Sequence, residues 1–366
     1  MKIFFTNDIF TTQRVGGISR YHYELARQLE LNAVPYTLFG GLYLTDAIRD
    51  LKYTKGFHLP KPGWQFNRQR RMVSDFLEKF YIPDRDDTIV HYTYFRSPRP
   101  VRQSSVIVTV HDMIHELHAN DSNRQVFHEH SKAKRAICEK ADRIITISRS
   151  TKADLTNLFQ IDPEKIIVVH LANSIHPSPK PEIEVAHDKP YLLYVGNRGD
   201  YKNFERLVRV YATSSWLRSE FDLVCFGSGP FSEVEVRLFL ELRVNGKIHH
   251  RTGSDTALAS YYANASAFVY PSCYEGFGLP LLEAMGMGCP VFAARNSSLP
   301  EVAGDAAVYF EASDEESMRQ SLEATLQDSD TLKKLVHMGF EREKMFSWQK
   351  CFQETMQVYK TVLKGK

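Results

Sequence analysis

Cysteine is scarce and scattered: Cys138, Cys225, Cys273, Cys289 and Cys351 are five in 366 residues, with no CxxC pair. An odd set at such spacings gives neither a disulfide framework nor a thiolate zinc site, and it fits a reducing cytoplasm. Long apolar runs are missing too. No stretch approaches the roughly 20 residues of a membrane-spanning helix. The opening MKIFFTNDIF has one lysine and an apolar run broken at Asn7 and Asp8, too short for a secretory signal. Low-complexity segments and short-period repeats are also lacking. Neither sign of charge dominates, with 46 Lys+Arg against 44 Asp+Glu and a net +2. The halves differ, however: residues 1–178 hold 25 Lys+Arg and 19 Asp+Glu, leaving 21 and 25 for the remainder. The basic first half is either solvated surface or a face for an anionic acceptor or an anionic membrane; nucleic acid is not an expected partner.

What is present is the composition of a globular enzyme, 43% hydrophobic and 25% charged, in a chain long enough for two domains. Short β-branched and aromatic runs (KIFFT, TIVHYTY, VIVTV, RIITIS, KIIVVH) alternate with helical stretches, the signature of βαβ units and a parallel sheet. The alternation stops at a stiff connector with prolines at 177, 179, 181 and 190, then restarts with YLLYVG, FDLVCFG, SAFVYPS and PVFAA. The expected architecture is α/β, two doubly wound Rossmann-like domains: residues 1–175, a linker over 176–190, and 191–346. The terminal stretch 347–366 repeats apolar residues at helical spacing (Trp348, Phe352, Met356, Tyr359, Leu363), and such a helix normally packs on its own domain.

Both halves open with a strand, a glycine-containing polar loop and a helix, and open parallel sheets bind ligands at the carboxyl ends of their strands. In SCYEGFGLPLLEAMGMGCPV, residues 272–291, a strand leads into a bend and then a helix. Pro280 suits the first turn of that helix. Gly276 and Gly278 let a ligand approach the backbone, and the amides of Phe277, Gly278 and Leu279 lie at the positive helix end, a cradle for phosphate. Carboxylates beside phosphate are unfavourable, so Glu275 and Glu283 more reasonably accept from hydroxyls of a sugar or ribose. Two solvated acids at a capped surface helix are the plain alternative. A glycosidase acid pair is another, but that reaction needs no phosphate cradle. Arg198 and Lys202, in GNRGDYKNF after the first strand of the second half, are two cations able to neutralise a diphosphate.

These residues resemble the retaining nucleotide-sugar glycosyltransferases of the GT-B fold, family 4, the mannosyltransferase-like group. The family pattern of Glu, seven residues, Glu is met by Glu275 and Glu283. The likeness continues through VGGISRY, the VHD at Val110 to Asp112, YVGNRGDYKN, TGSDTALASYYANASAFVYPS and SSLPEVAGDAAVYF, densest from 190 to 312. It implies that Lys202 and the amides of Phe277 to Leu279 hold the diphosphate, Glu283 the ribose and Glu275 the transferred sugar. His111 would lie beside sugar and acceptor, Gly16 and Gly17 would close over the phosphates, and Arg251, Thr252 and Gly253 would edge the base. The terminal helix would cross back to the first domain. The resemblance further implies transfer without a metal or other cofactor, from a nucleotide sugar (GDP-mannose first) to a saccharide or lipid-linked acceptor. The setting would be surface polysaccharide synthesis in the cytoplasm, at the inner face of the membrane. A departure affects Arg198: relatives commonly carry arginine where Asn197 stands here, and RK where this chain has Tyr201 and Lys202. An inactive sugar-nucleotide-binding or partner subunit is the competing reading.

Other groupings carry less. His111, His115 and His118 have helical metal-ligand spacing, but VIVTV ends at His111, which belongs to a strand terminus. Asp84 to Asp87, DRDD, contains an Asp-x-Asp pattern but reads as a solvated turn. Arg68 to Arg71, RQRR, reads as a helix face in water or a contact to lipid phosphate.

Overall fold

The computed structural model describes residues 1–14, 16–59, 67–96, 101–118, 124–177, 187 and 189–364. Most of the proline-rich connector, Pro179 and Pro181 included, lies outside them. Two compact units result: Met1–Leu171 with Trp348–Lys366, and Ala172–Ser347. Each is a parallel sheet with helical crossovers, the doubly wound α/β architecture expected from the alternation of runs.

Among the described residues, the first unit has seven strands: β1 (Lys2–Phe5), β2 (Tyr36–Tyr43), β3 (Thr54–His58), β4 (Thr88–Tyr92), β5 (Ser105–Val110), β6 (Arg143–Thr146) and β7 (Ile166–Val168). Their spatial order is β3-β2-β1-β4-β5-β6-β7, with every pair parallel. Chain order reverses between β1 and β4, which opens a crevice beyond their carboxyl ends. Both central strands are buried on both faces, hence their unbroken apolar runs (Ile3, Phe4, Phe5; Ile89, Val90).

The terminal helix Trp348–Lys364 belongs to this first unit rather than to the one preceding it in the chain. The residue pattern alone had it pack on its own domain; the family resemblance had it cross back, as it does. Its buried stripe is Cys351, Phe352, Thr355, Met356, Tyr359 and Val362, and it lies against the helix Gly17–Leu31. One bond gives a reason. Tyr359 Oη lies 2.6 Å from Nδ1 of His91, a buried imidazole on β4 whose Nε2 meets Thr109 Oγ1 at 2.8 Å. Both ring nitrogens are thereby satisfied inside the core.

The second unit has β8 (Tyr191–Val195), β9 (Asp222–Phe226), β10 (Ile248–Arg251), β11 (Ala267–Tyr270), β12 (Val291–Ala294) and β13 (Ala307–Phe310). Their order is β10-β9-β8-β11-β12-β13, again all parallel. The reversal falls between β8 and β11, so the loops that follow these two strands flank the binding crevice of this sheet. Those loops are GNRGDYK and PSCYEGFG.

Candidate active site

The bend after β11 is a built structure. Gly278 has φ 102° and caps the helix Leu279–Gly286, with Pro280 in its first turn as the sequence suggested. That φ lies in the region where only glycine is unstrained. Two serines from the loop after β12 hold the bend from behind. Ser297 Oγ accepts from the Glu275 amide at 2.9 Å, and Ser298 Oγ contacts the carbonyls of Glu275 and Phe277 at 2.9 Å each. Cys273 N donates to Tyr201 O at 2.7 Å, tying this bend to the loop after β8. Asn203, with φ 59°, donates from Nδ2 to Pro271 O at 3.1 Å and to Ala312 O at 2.8 Å, a second tie.

Glu275 and Glu283 are only 7% and 8% exposed, so the reading of two solvated acids fails. Lys202 donates to Glu275 Oε1 at 2.6 Å, both side chains being largely buried. Burial, and then the Glu275 carboxylate, push the Tyr270 hydroxyl well above its ordinary range, so it stays protonated beside Glu275. Tyr262 Oη donates to Glu283 Oε2 at 3.0 Å, and burial followed by Glu283 raises that hydroxyl also. Each carboxylate is thus oriented by a tyrosine from β11 or from the helix Asp255–Asn264 that precedes it.

Arg198 is placed differently from Lys202. Its Nε donates to Glu235 at 2.5 Å and its Nη2 to the carbonyls of Gly229 and Pro230, with the guanidinium near the rings of Phe204 and Phe231. Glu235 also closes the capping box of the helix Glu233–Glu241 through Ser232. The two cations read together as diphosphate ligands therefore hold separate partners, and Arg198 braces the loop after β9. A groove of about 850 Å³ opens beside Arg198, Phe204 and Glu235, and its lining excludes Lys202, Glu275 and Glu283. Arg251 ends β10, with Nη1 donating to His250 O at 2.9 Å; Thr252 and Gly253 follow it, exposed.

In the first unit His111 follows β5 directly, off any helix, as its place after VIVTV indicated. It is 5% exposed, packs edge-on against Tyr21 at 5.2 Å, and its Nε2 is buried with no hydrogen-bond partner among the described residues. Burial lowers its pKa to about 4 despite the opposing pull of Asp112, so the imidazole is neutral at pH 7. His115 stacks on His130 at 4.8 Å. Gly17 begins the helix Gly17–Leu31 and Gly16 caps it; Val15 lies outside the described residues.

Two models of known families match the chain. "Glycosyl transferases group 1" matches residues 178–342 and "Glycosyltransferase Family 4" matches residues 15–172. The chain belongs to the GT-B glycosyltransferases. It is 28% identical to the O-antigen chain mannosyltransferase B of Escherichia coli over 96% of this chain and 99% of that one. It is 27% identical to the O-antigen chain mannosyltransferase RfbU of Salmonella typhimurium over 62% of each. Among solved structures, sucrose-phosphate synthase from Thermosynechococcus elongatus superposes with a TM-score of 0.77 at 18% identity, covering 100% of this chain and 99% of that one, which shows the shared fold.

Several residues that build this glycosyltransferase's crevice escaped the sequence reading: Ser297, Ser298, Tyr262, Tyr270 and Asn203. All five stand inside the family stretches YVGNRGDYKN, TGSDTALASYYANASAFVYPS and SSLPEVAGDAAVYF, and yet a serine, tyrosine or asparagine announces no role until its partner is known. The DRDD segment is an exposed turn, as the sequence suggested, and it anchors a neighbouring loop. The Asp84 carboxylate accepts from the amides of Arg102, Gln103 and Ser104. In RQRR, Arg70 is a correction to the exposed-face reading: it is buried and donates through Nε and Nη2 to Thr11 O, whereas Arg68 and Arg71 are exposed.

Proposed function

We propose that this glycosyltransferase moves mannose from GDP-mannose to a saccharide or lipid-linked acceptor in surface polysaccharide synthesis, with retention of configuration and without a metal ion. The observation that carries the reading is the Lys202–Glu275 pair at 2.6 Å, held at the β8/β11 reversal beside a helix N-terminus led by Gly278. The mannosyl choice rests on the relatives named above.

In this reading Lys202 and the amides of Phe277 to Leu279 receive the diphosphate, where negative charge grows as the anomeric bond breaks. Fixed cations and oriented amides stabilise charge that develops in the transition state more than charge already present. Glu275 takes hydroxyls of the transferred sugar, Glu283 those of the ribose, and Arg251 to Gly253 edge the base. Gly16 and Gly17 serve the phosphates. His111, neutral, offers its unpartnered Nε2 to a hydroxyl of sugar or acceptor. Arg198 contributes by bracing Gly229 and Pro230. The leaving phosphate accepts the acceptor proton on the face it vacates, so no strong base is required.

We also assign membrane contact to the helix Asn67–Glu78 and the turn after it. Met72, Val73, Phe76, Phe80 and Tyr81 are exposed there beside Arg68 and Arg71, aromatic and cationic groups of the kind that sit at an anionic lipid surface. Among the described residues no helix is long and apolar enough to cross a membrane.

The test is a melting-temperature screen with GDP, UDP, ADP and dTDP, followed by hydrolysis and transfer assays with the matching sugar nucleotide, with and without EDTA. GDP raising the melting point above the others, with turnover of GDP-mannose intact in EDTA, is expected. Stabilisation by another nucleotide would overturn the donor. Nucleotide binding with no turnover of any sugar nucleotide would make the chain an inactive subunit, and activity dependent on added manganese would refute the metal-free mechanism.

A further inference from the structure

A cluster containing none of the residues assigned to sugar transfer lies toward the amino end of β9 in the second sheet. Asp222 is the first residue of β9, His249 the second of β10, and His187 comes from the connector just before β8. The strands are parallel, and the sugar-transfer loops follow their carboxyl ends. Asp222 is separated from the loop after β9 by a strand of five residues, about 15 Å, while His249 stands two residues before Arg251 on β10.

The two imidazole Nε2 atoms converge on one carboxylate oxygen: His249 Nε2 lies 2.9 Å and His187 Nε2 3.2 Å from Asp222 Oδ2. All three ligand atoms lie within 4.8 Å of one another. Donor atoms on a tetrahedral zinc at about 2.0–2.1 Å are about 3.3 Å apart, close to the two separations from Asp222 Oδ2. Hydrogen bonding leaves the cluster unfinished. Among the described residues, His187 Nε2, on a side chain 7% exposed, and Asp222 Oδ1 are both buried and meet only long or poorly aligned partners within the cluster. Lys189 Nζ lies 3.5 Å from that Oδ1, which lets Asp222 hold a metal on one oxygen and an ammonium on the other.

We infer that His187, Asp222 and His249 bind a zinc ion that staples the connector to the edge of the second sheet. Two imidazoles and one carboxylate suit a borderline d-block cation and disfavour magnesium and calcium, which take oxygen ligands. With three protein ligands the fourth position is left to water. The ammonium group of Lys189, 3.5 Å from Asp222 Oδ1, opposes the added charge. The expected affinity is therefore on the order of 1 μM, weaker than a four-ligand structural site. The role is structural, because the ion stands away from the reacting groups.

The experiment uses full-length protein with its purification tag removed, stripped with EDTA and dialysed. Zinc sulfate is titrated calorimetrically into the parent, His249→Ala, Asp222→Asn and, as a control, His115→Ala. Expected are one equivalent bound by parent and control, at least a 30-fold weaker affinity in the other two, and a zinc-dependent rise in melting point in parent and control but not in the two site variants. Cobalt(II) should give the visible absorption of a four-coordinate site in the parent and not in His249→Ala. His249 is partly exposed on an edge strand, so its alanine variant should keep the parent's circular dichroism. No binding by the parent at 100-fold above about 1 μM, or binding kept in both site variants, would overturn the inference. Nucleotide binding and sugar transfer read out separately, so failure here leaves the proposed function untouched, and the reverse holds.

Discussion

Replacing Glu275 by glutamine tests the candidate site most sharply, because the structure makes two opposite demands on that carboxylate. Without donor, Glu275 neutralises Lys202 across 2.6 Å, with the two side chains 10% and 14% exposed. A diphosphate needs that ammonium, so the anion must compete with Glu275 and also endure its negative charge. Glutamine removes the competitor while keeping shape and one carbonyl oxygen. A charge-assisted hydrogen bond in such a setting contributes about 1.5–3 kcal/mol. If half of that opposes the diphosphate, Glu275→Gln should bind free GDP about 3- to 12-fold more tightly. The transferred sugar loses one or two charged acceptors in the transition state, so turnover should fall by about 10- to 1,000-fold. Calorimetry with GDP beside initial-rate kinetics gives both numbers from one preparation. Weaker GDP binding in Glu275→Gln would refute the competition argument. Unchanged turnover would remove Glu275 from the sugar site altogether.

Glu283→Gln should act the other way, weakening GDP and GDP-mannose by similar factors of about 10 with little change in kcat, since ribose contacts are the same before and during reaction; a loss confined to kcat would reverse the two glutamates. Lys202→Ala should lower both nucleotide affinity and kcat, and turnover within about twofold of the parent would deny it the leaving-group role. The buried imidazoles of His22, His91 and His111 make stability depend on pH. Burial holds His22 well below its ordinary range and His91 and His111 at about 3 and about 4, so the folded protein keeps them neutral while the unfolded chain protonates below about 6.5. Stability should therefore fall from pH 7 to pH 5 by about 2 kcal/mol per histidine. The difference between parent and His22→Gln in urea unfolding at the two pH values isolates one of them, and equal pH dependence would contradict it. Phe76→Ser with Phe80→Ser should reduce cosedimentation with vesicles containing acidic lipid about tenfold, and binding by the parent should weaken with salt; no parental binding at low salt would end the membrane assignment.

The alternation of apolar runs with helical stretches determined two parallel sheets, because strands buried on both faces must be short and apolar. The spacing of Glu275 and Glu283 around Gly278 and Pro280 determined a bend entering a helix, because glycine alone is unstrained at the φ of 102° found at Gly278 and a first turn tolerates proline. Those are local rules, and local sequence states them. Partners across long separations are another matter. Lys202 and Arg198 look alike in GNRGDYKNF, yet one finds Glu275 and the other Glu235, according to which neighbouring strand's loop each meets. Arg70 reads as one more basic residue until Thr11 is seen to offer it a buried carbonyl. The terminal helix shows an apolar stripe but not the surface it will cover, where the stripe packs on the helix Gly17–Leu31 and Tyr359 reaches His91. His187, Asp222 and His249 have no recognisable spacing, because residues on separate strands and a connector converge only when parallel pairing, with His249 opposite Val224, sets His249 diagonally across from Asp222 two residues earlier on β9. Chain distance fixes local geometry; the register of the sheet decides which distant charges become neighbours.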